Sequence, residues 1–143
     1  MSRNPSRPMP YLRLLAPALI LACSAQVTQP AHAAPQPVVT PIMQKDLADT
    51  PGKEALMLAV TYPPGAIETV HRHDAQAFVY VTEGSIVMQV RGGPEVTLAP
   101  GQTFYEGPDD VHTVGRNASA TKPAKFVVVL VKKKGVDAVL PAK

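Results

Sequence analysis

After residue 50 the chain is a succession of short apolar runs, each stopped by a proline or glycine turn signal. Ala55–Tyr62 stops at Pro63-Pro64-Gly65, Ala77–Thr82 at Glu83-Gly84, and Ser85–Val90 at Gly92-Gly93-Pro94. Glu95–Leu98 stops at Pro100-Gly101 and Thr103–Tyr105 at Gly107-Pro108, with Thr113–Val114 and Lys125–Val131 completing the series. The runs are rich in Val, Tyr, Phe and Thr and recur about every ten residues, which predicts an all-β sandwich or barrel. Nothing between 51 and 131 keeps a helical period. The last run is apolar at both parities, so both of its faces are expected to be covered.

The N-terminal segment reads differently. Arg3, Arg7 and Arg13 precede an uncharged apolar stretch, Leu14 to Cys23, and small residues then lead to Ala31-His32-Ala33. A basic start, a short apolar run and an A-x-A site describe a secretory signal peptide over residues 1–33. Pro17 inside the run opposes a buried helix there, since an interior proline costs about 3 kcal/mol. A ten-residue stretch is also too short for a bilayer, which takes about 20. The expected location is periplasmic or secreted, with lipid anchoring at Cys23 as the alternative, because Ile20-Leu21-Ala22-Cys23 resembles a lipobox. The net charge of +3 resides in those three arginines, since the remaining basic residues equal the acidic ones in number. A neutral domain gives no argument for nucleic-acid binding. Residues 34–50 are Pro-rich and read as an irregular arm or edge segment, 51–134 as the barrel, and 135–143 as a solvated tail. The single cysteine excludes an internal disulfide and a cysteine-built zinc site.

Beyond His32 there are three histidines, His71, His73 and His112. On a strand, residues two apart project from one face, so His71 and His73 can enter one cavity. Imidazole is a common ligand for zinc, copper, iron and nickel. Asp74 and Glu106, the other chemically capable groups near the histidines, read as exposed turn residues. Of the nearby aromatics, Tyr80 is the one whose hydroxyl would want a partner if buried.

The spacing around these histidines carries a resemblance. Gly65 is followed by five residues, His71-Arg72-His73, three residues, Ala77, six residues and Gly84; His112 lies eleven positions after Gly101. This is similar to the two signature motifs of the cupin superfamily, G-x5-H-x-H-x3,4-E-x6-G and G-x5-P-x-G-x2-H-x3-N. The chain departs from them at several points. Ala77 stands at the glutamate position, Gly107 at the proline, Asp109 at the glycine and Arg116 at the asparagine.

The resemblance implies a single-domain antiparallel β-barrel of the jelly-roll type, with His71, His73 and His112 holding one divalent metal (Mn, Fe, Ni, Cu or Zn). Gln76, one residue out of register with the absent glutamate, is a candidate fourth ligand if a bulge re-aims it. Cupins with three histidines and no glutamate include dioxygenases, and some with glutamine are lyases. A metal-dependent enzyme of dioxygenase, isomerase or lyase type, acting on a small molecule, is therefore one implied function. The alternatives are a non-catalytic periplasmic metal- or ligand-binding cupin and a degenerate structural cupin without metal. The family also implies a possible homodimer.

Overall fold

A computed structural model describes residues 33–142; the proposed signal peptide, with Cys23, lies outside them except for its last residue, Ala33. The elements are β1 (Val38–Asp46), β2 (Lys53–Tyr62), β3 (His71–Arg72), β4 (Ala75–Glu83), β5 (Ile86–Val90), β6 (Val96–Leu98), β7 (Thr103–Glu106), β8 (Val111–Asn117), β9 (Ala124–Lys133) and β10 (Leu140–Pro141). All named pairings are antiparallel. One five-stranded sheet runs β1-β2-β9-β4-β7 and the other β10-β3-β8-β5-β6. This is the all-β jelly-roll expected from the turn-punctuated runs.

The core follows from strand parity. Ala75, Ala77, Val79 and Val81 of β4, with Ala124, Phe126, Val128 and Leu130 of β9, point inward. Leu58, Val60 and Tyr62 of β2 and Ile86 and Met88 of β5 complete the interior. Burying each large apolar side chain contributes about 1.5–3 kcal/mol. Tyr62 and Phe126 meet edge to face, their ring centroids 4.8 Å apart. Gly84 makes the β4–β5 turn possible: its φ is 69°, and a Cβ there would fall 2.6 Å from the Pro123 carbonyl oxygen.

Three segments differ from the sequence-based expectation. Residues 38–46 take the edge alternative and form a nine-residue edge strand, not an irregular arm; Pro41 fits there beside a register shift between Pro41 and Met43. The run 125–131 has one buried face only: Val127, Val129 and Val131 are half-buried on the outer side. The tail returns to the sheet, where Leu140 and Pro141 pair with Arg72 and His71, because β3 otherwise offers an uncovered edge.

Candidate metal centre

β3 and β8 are neighbours in register, with His71 opposite His112. His73 follows β3 directly. Asp74 then adopts φ 47°, a left-handed conformation that aspartate tolerates better than most residues, as the chain passes from β3 into β4 of the other sheet. The three rings converge. His71 lies 4.8 Å from His73 and 4.9 Å from His112, centroid to centroid. One ligand nitrogen from each ring lies within 4.8 Å of the others.

The backbone fixes which nitrogens face the centre. His71 Nδ1 is 2.8 Å from the Thr69 carbonyl, His73 Nδ1 2.6 Å from that of Ala138, and His112 Nε2 2.6 Å from that of Val114. A carbonyl only accepts, so each of these nitrogens carries the proton and donates. In a neutral ring the other nitrogen is then a bare lone pair. Those are His71 Nε2, His73 Nε2 and His112 Nδ1; the first two are 3.3 Å apart. Burial favours the neutral rings of His73 and His112. It lowers the pKa of His73, and it takes His112 down to about 4, with the His71 ring adding to the effect.

Two carboxylates that the sequence reading placed elsewhere or passed over complete the site. Glu106 is not an exposed turn residue: it is 2% exposed, at the inward end of β7. Its Oε1 lies 3.6 Å from His112 Nδ1 and its Oε2 3.8 Å from His73 Nε2. Glu68, in the segment between β2 and β3, places Oε2 3.9 Å from His112 Nδ1. Burial raises both carboxyls, and Glu106, with Glu68 and Asp110 nearby, reaches about 7. Tyr62 is buried beside them; desolvation and the Glu68 charge push its hydroxyl well above its ordinary range. Neither Glu106 Oε2 nor His112 Nδ1 has a hydrogen-bond partner among the described residues.

Gln76 is not brought to the site. Strand parity persists through the Asp74 turn, so Ala75 and Ala77 face inward and Gln76 faces out, where its Oε1 accepts from the Tyr105 hydroxyl. Phe78, Tyr80 and Tyr105 share that outer surface, each about half exposed. Tyr80 therefore needs no buried partner. Met88 lines the histidine cavity, together with Tyr62 and Phe126.

The residues fit a divalent cation. Three bare imidazole nitrogens and a carboxylate crowd together as acceptors, and only a cation or a shared proton relieves that arrangement. Each ring is also held by a backbone carbonyl through its outer nitrogen, which orients a metal-binding histidine and settles its tautomer. The cavity they border is about 220 Å³, walled by Leu58, Val60, Val79, Met88, Phe126 and Val128.

The comparisons agree with the fold. A family model described as "Cupin domain" matches residues 58–130. A Klebsiella pneumoniae protein with a double-stranded β-helix domain superposes with a TM-score of 0.60 at 18% identity, over 78% of this chain and 90% of that one. A cupin domain from Bordetella pertussis gives 0.55 at 21%, over 71% of this chain and 98% of that one. The DMSP lyase DddQ of Ruegeria pomeroyi gives 0.53 at 20%, over 62% of this chain. This chain spans only 43% of that lyase's length. At such identities the likeness shows the fold. No curated protein matches the chain in sequence.

Proposed function

The chain belongs to the cupin family, and from that premise we propose that it binds one divalent metal through His71, His73 and His112 and acts on a small molecule beside it. The observation that carries this reading is the tautomer set. Three separate backbone carbonyls, on Thr69, Ala138 and Val114, leave one bare nitrogen on each of three clustered rings.

A divalent ion held there supplies Lewis acidity toward an oxygen donor. The remaining work falls to the chain's own groups. The apolar wall of Leu58, Met88, Phe126 and Val128 excludes water and receives the apolar part of the molecule. At about 220 Å³ the cavity lies below the range of about 300–1,000 Å³ usual for drug-sized ligands. Glu68, whose carboxyl is raised by burial, is suited to hold or move a proton at its Oε2. Among the reaction classes that the family suggests, this favours those with a proton transfer, of lyase or isomerase type. The polyketide cyclase RemF of Streptomyces resistomycificus shares the fold with a TM-score of 0.56 at 17% identity. The proposal includes action outside the cytoplasm, supported by the N-terminal sequence pattern. It also includes self-association that covers β1, all nine residues of which are exposed.

The deciding experiment is metal analysis of the full chain, without a histidine tag, by mass spectrometry beside His112→Ala. About one ion per chain, lost in the variant, is the expected result. No uptake after incubation with manganese, iron, nickel, copper and zinc would overturn the reading. Turnover is then sought with the metal so identified.

A further inference from the structure

The register between β4 and β7 sets Ala77 directly opposite Glu106. Both side chains point inward, and Ala77 is fully buried. Directly paired residues place their Cβ atoms about 4.5–5.5 Å apart on the same face of the sheet. The space that a longer side chain at position 77 would claim is therefore open to the carboxylate from position 106.

Glu106 uses that space in a particular way. Its two oxygens approach two different histidine nitrogens, at 3.6 and 3.8 Å, and both nitrogens are bare lone pairs. These are too long for hydrogen bonds, and neither side has a proton to give once the carboxyl ionises. They are, however, close to the spacing of two ligands on one metal. Donors about 2.0–2.1 Å from an ion at tetrahedral angles lie roughly 3.4 Å from each other. Glu106 Oε2 is also buried without a hydrogen-bond partner among the described residues. A carboxylate adds the negative charge that three neutral imidazoles lack.

We infer that Glu106 is a fourth ligand of the metal site, its carboxylate supplied from across the β4–β7 pair in place of a donor at position 77. The inference rests on the three-histidine reading above. Glu68 is not its equivalent: it approaches one histidine only, at 3.9 Å, and its side chain is more exposed.

The test uses cobalt(II) as the probe on the full chain, read by affinity from competition titration and by the visible absorption bands of the bound ion. Glu106→Gln, which keeps the side chain's shape, is expected to lose about 100-fold in affinity and to shift the bands. Glu68→Gln is expected to change affinity less than tenfold. The relocated pair, Glu106→Ala with Ala77→Glu, is expected to recover affinity to within about tenfold of the parent. Wild-type affinity and bands in Glu106→Gln, with binding abolished in His112→Ala, would overturn this inference and leave the three-histidine reading intact. A folded relocated pair that recovers nothing would also overturn it. Should circular dichroism show that pair unfolded, Glu106→Gln decides alone. A parent chain that takes up no cobalt would overturn both readings together.

Discussion

A methyl group at position 115 would fall 2.5 Å from Glu68 Oε2 and about 3 Å from the His112 ring. Gly115 thus makes room for a carboxylate and an imidazole ring at once, and its carbonyl also accepts from the Glu68 backbone N–H at 2.7 Å. Gly115→Ala is expected to leave a folded barrel and to weaken metal uptake by about tenfold or more, checked by cobalt titration. Asn117 is buried for a different reason. Its amide nitrogen shares two N–H groups among the carbonyls of Tyr62, Pro63 and Lys122, while its Oδ1 accepts from the Ser119 N–H. Asn117→Ala strands several of those groups at about 1–3 kcal/mol each, so a loss of roughly 2–4 kcal/mol is expected in urea unfolding. Little of this was legible in the residues themselves. The three histidines were, because their spacing matched a known pattern. Glu106 was not, because its importance comes from lying opposite Ala77, and cross-strand register is absent from a linear sequence. Glu68 sits in a loop, where no periodicity assigns a face.

Between elements, one buried ion pair ties β2 to β9. Glu54 and Lys132 are cross-strand partners, and Lys132 Nζ donates to Glu54 Oε1 at 2.5 Å and to the Val136 carbonyl. Gln44 of β1 donates to the other carboxylate oxygen at 2.6 Å. Lys132 above all, and then Gln44, hold the Glu54 pKa below its ordinary value of 4.5. The folded form is thus the weaker proton binder, so this contribution is fully present above about pH 4.5 and is lost as pH falls through the folded value. Stability measured from pH 6 to 3 is expected to fall in the parent. In Glu54→Gln it should be lower at neutral pH and flatter across that range, since a buried lysine is left unpaired. The tail makes the second link. Ala138 supplies the carbonyl that orients His73, and β10 closes the β3 edge. Removing residues 138–143 is expected to cost about 10–100-fold in metal affinity with the sheet signal in circular dichroism retained. Strand existence was readable from short apolar runs bounded by turn residues, as in β2, β4 and β9. The two-residue strands β3 and β10 were not, because two residues carry no periodicity and form only against a partner.

At the scale of the molecule, the interior does not depend on a metal. Tyr62, Ile86, Met88 and Leu130 are fully buried between the sheets, and the histidines border that core. Chelation is therefore expected to leave the β-sheet spectrum unchanged. Metal at about 100 times its dissociation constant should add about 2.7 kcal/mol and raise Tm by roughly 10–20 °C in calorimetry. The sequence alone determined the β class, the turns and the identity of the three clustered imidazoles, because short apolar runs, glycine and proline chemistry and residue spacing are local properties. Tertiary structure alone decided that Gln76 faces away, that Glu106 and Glu68 face in, and that the tail serves His73. Each of those outcomes depends on which strand lies beside which and in what register, a pairing fixed only when the two sheets close over a common core.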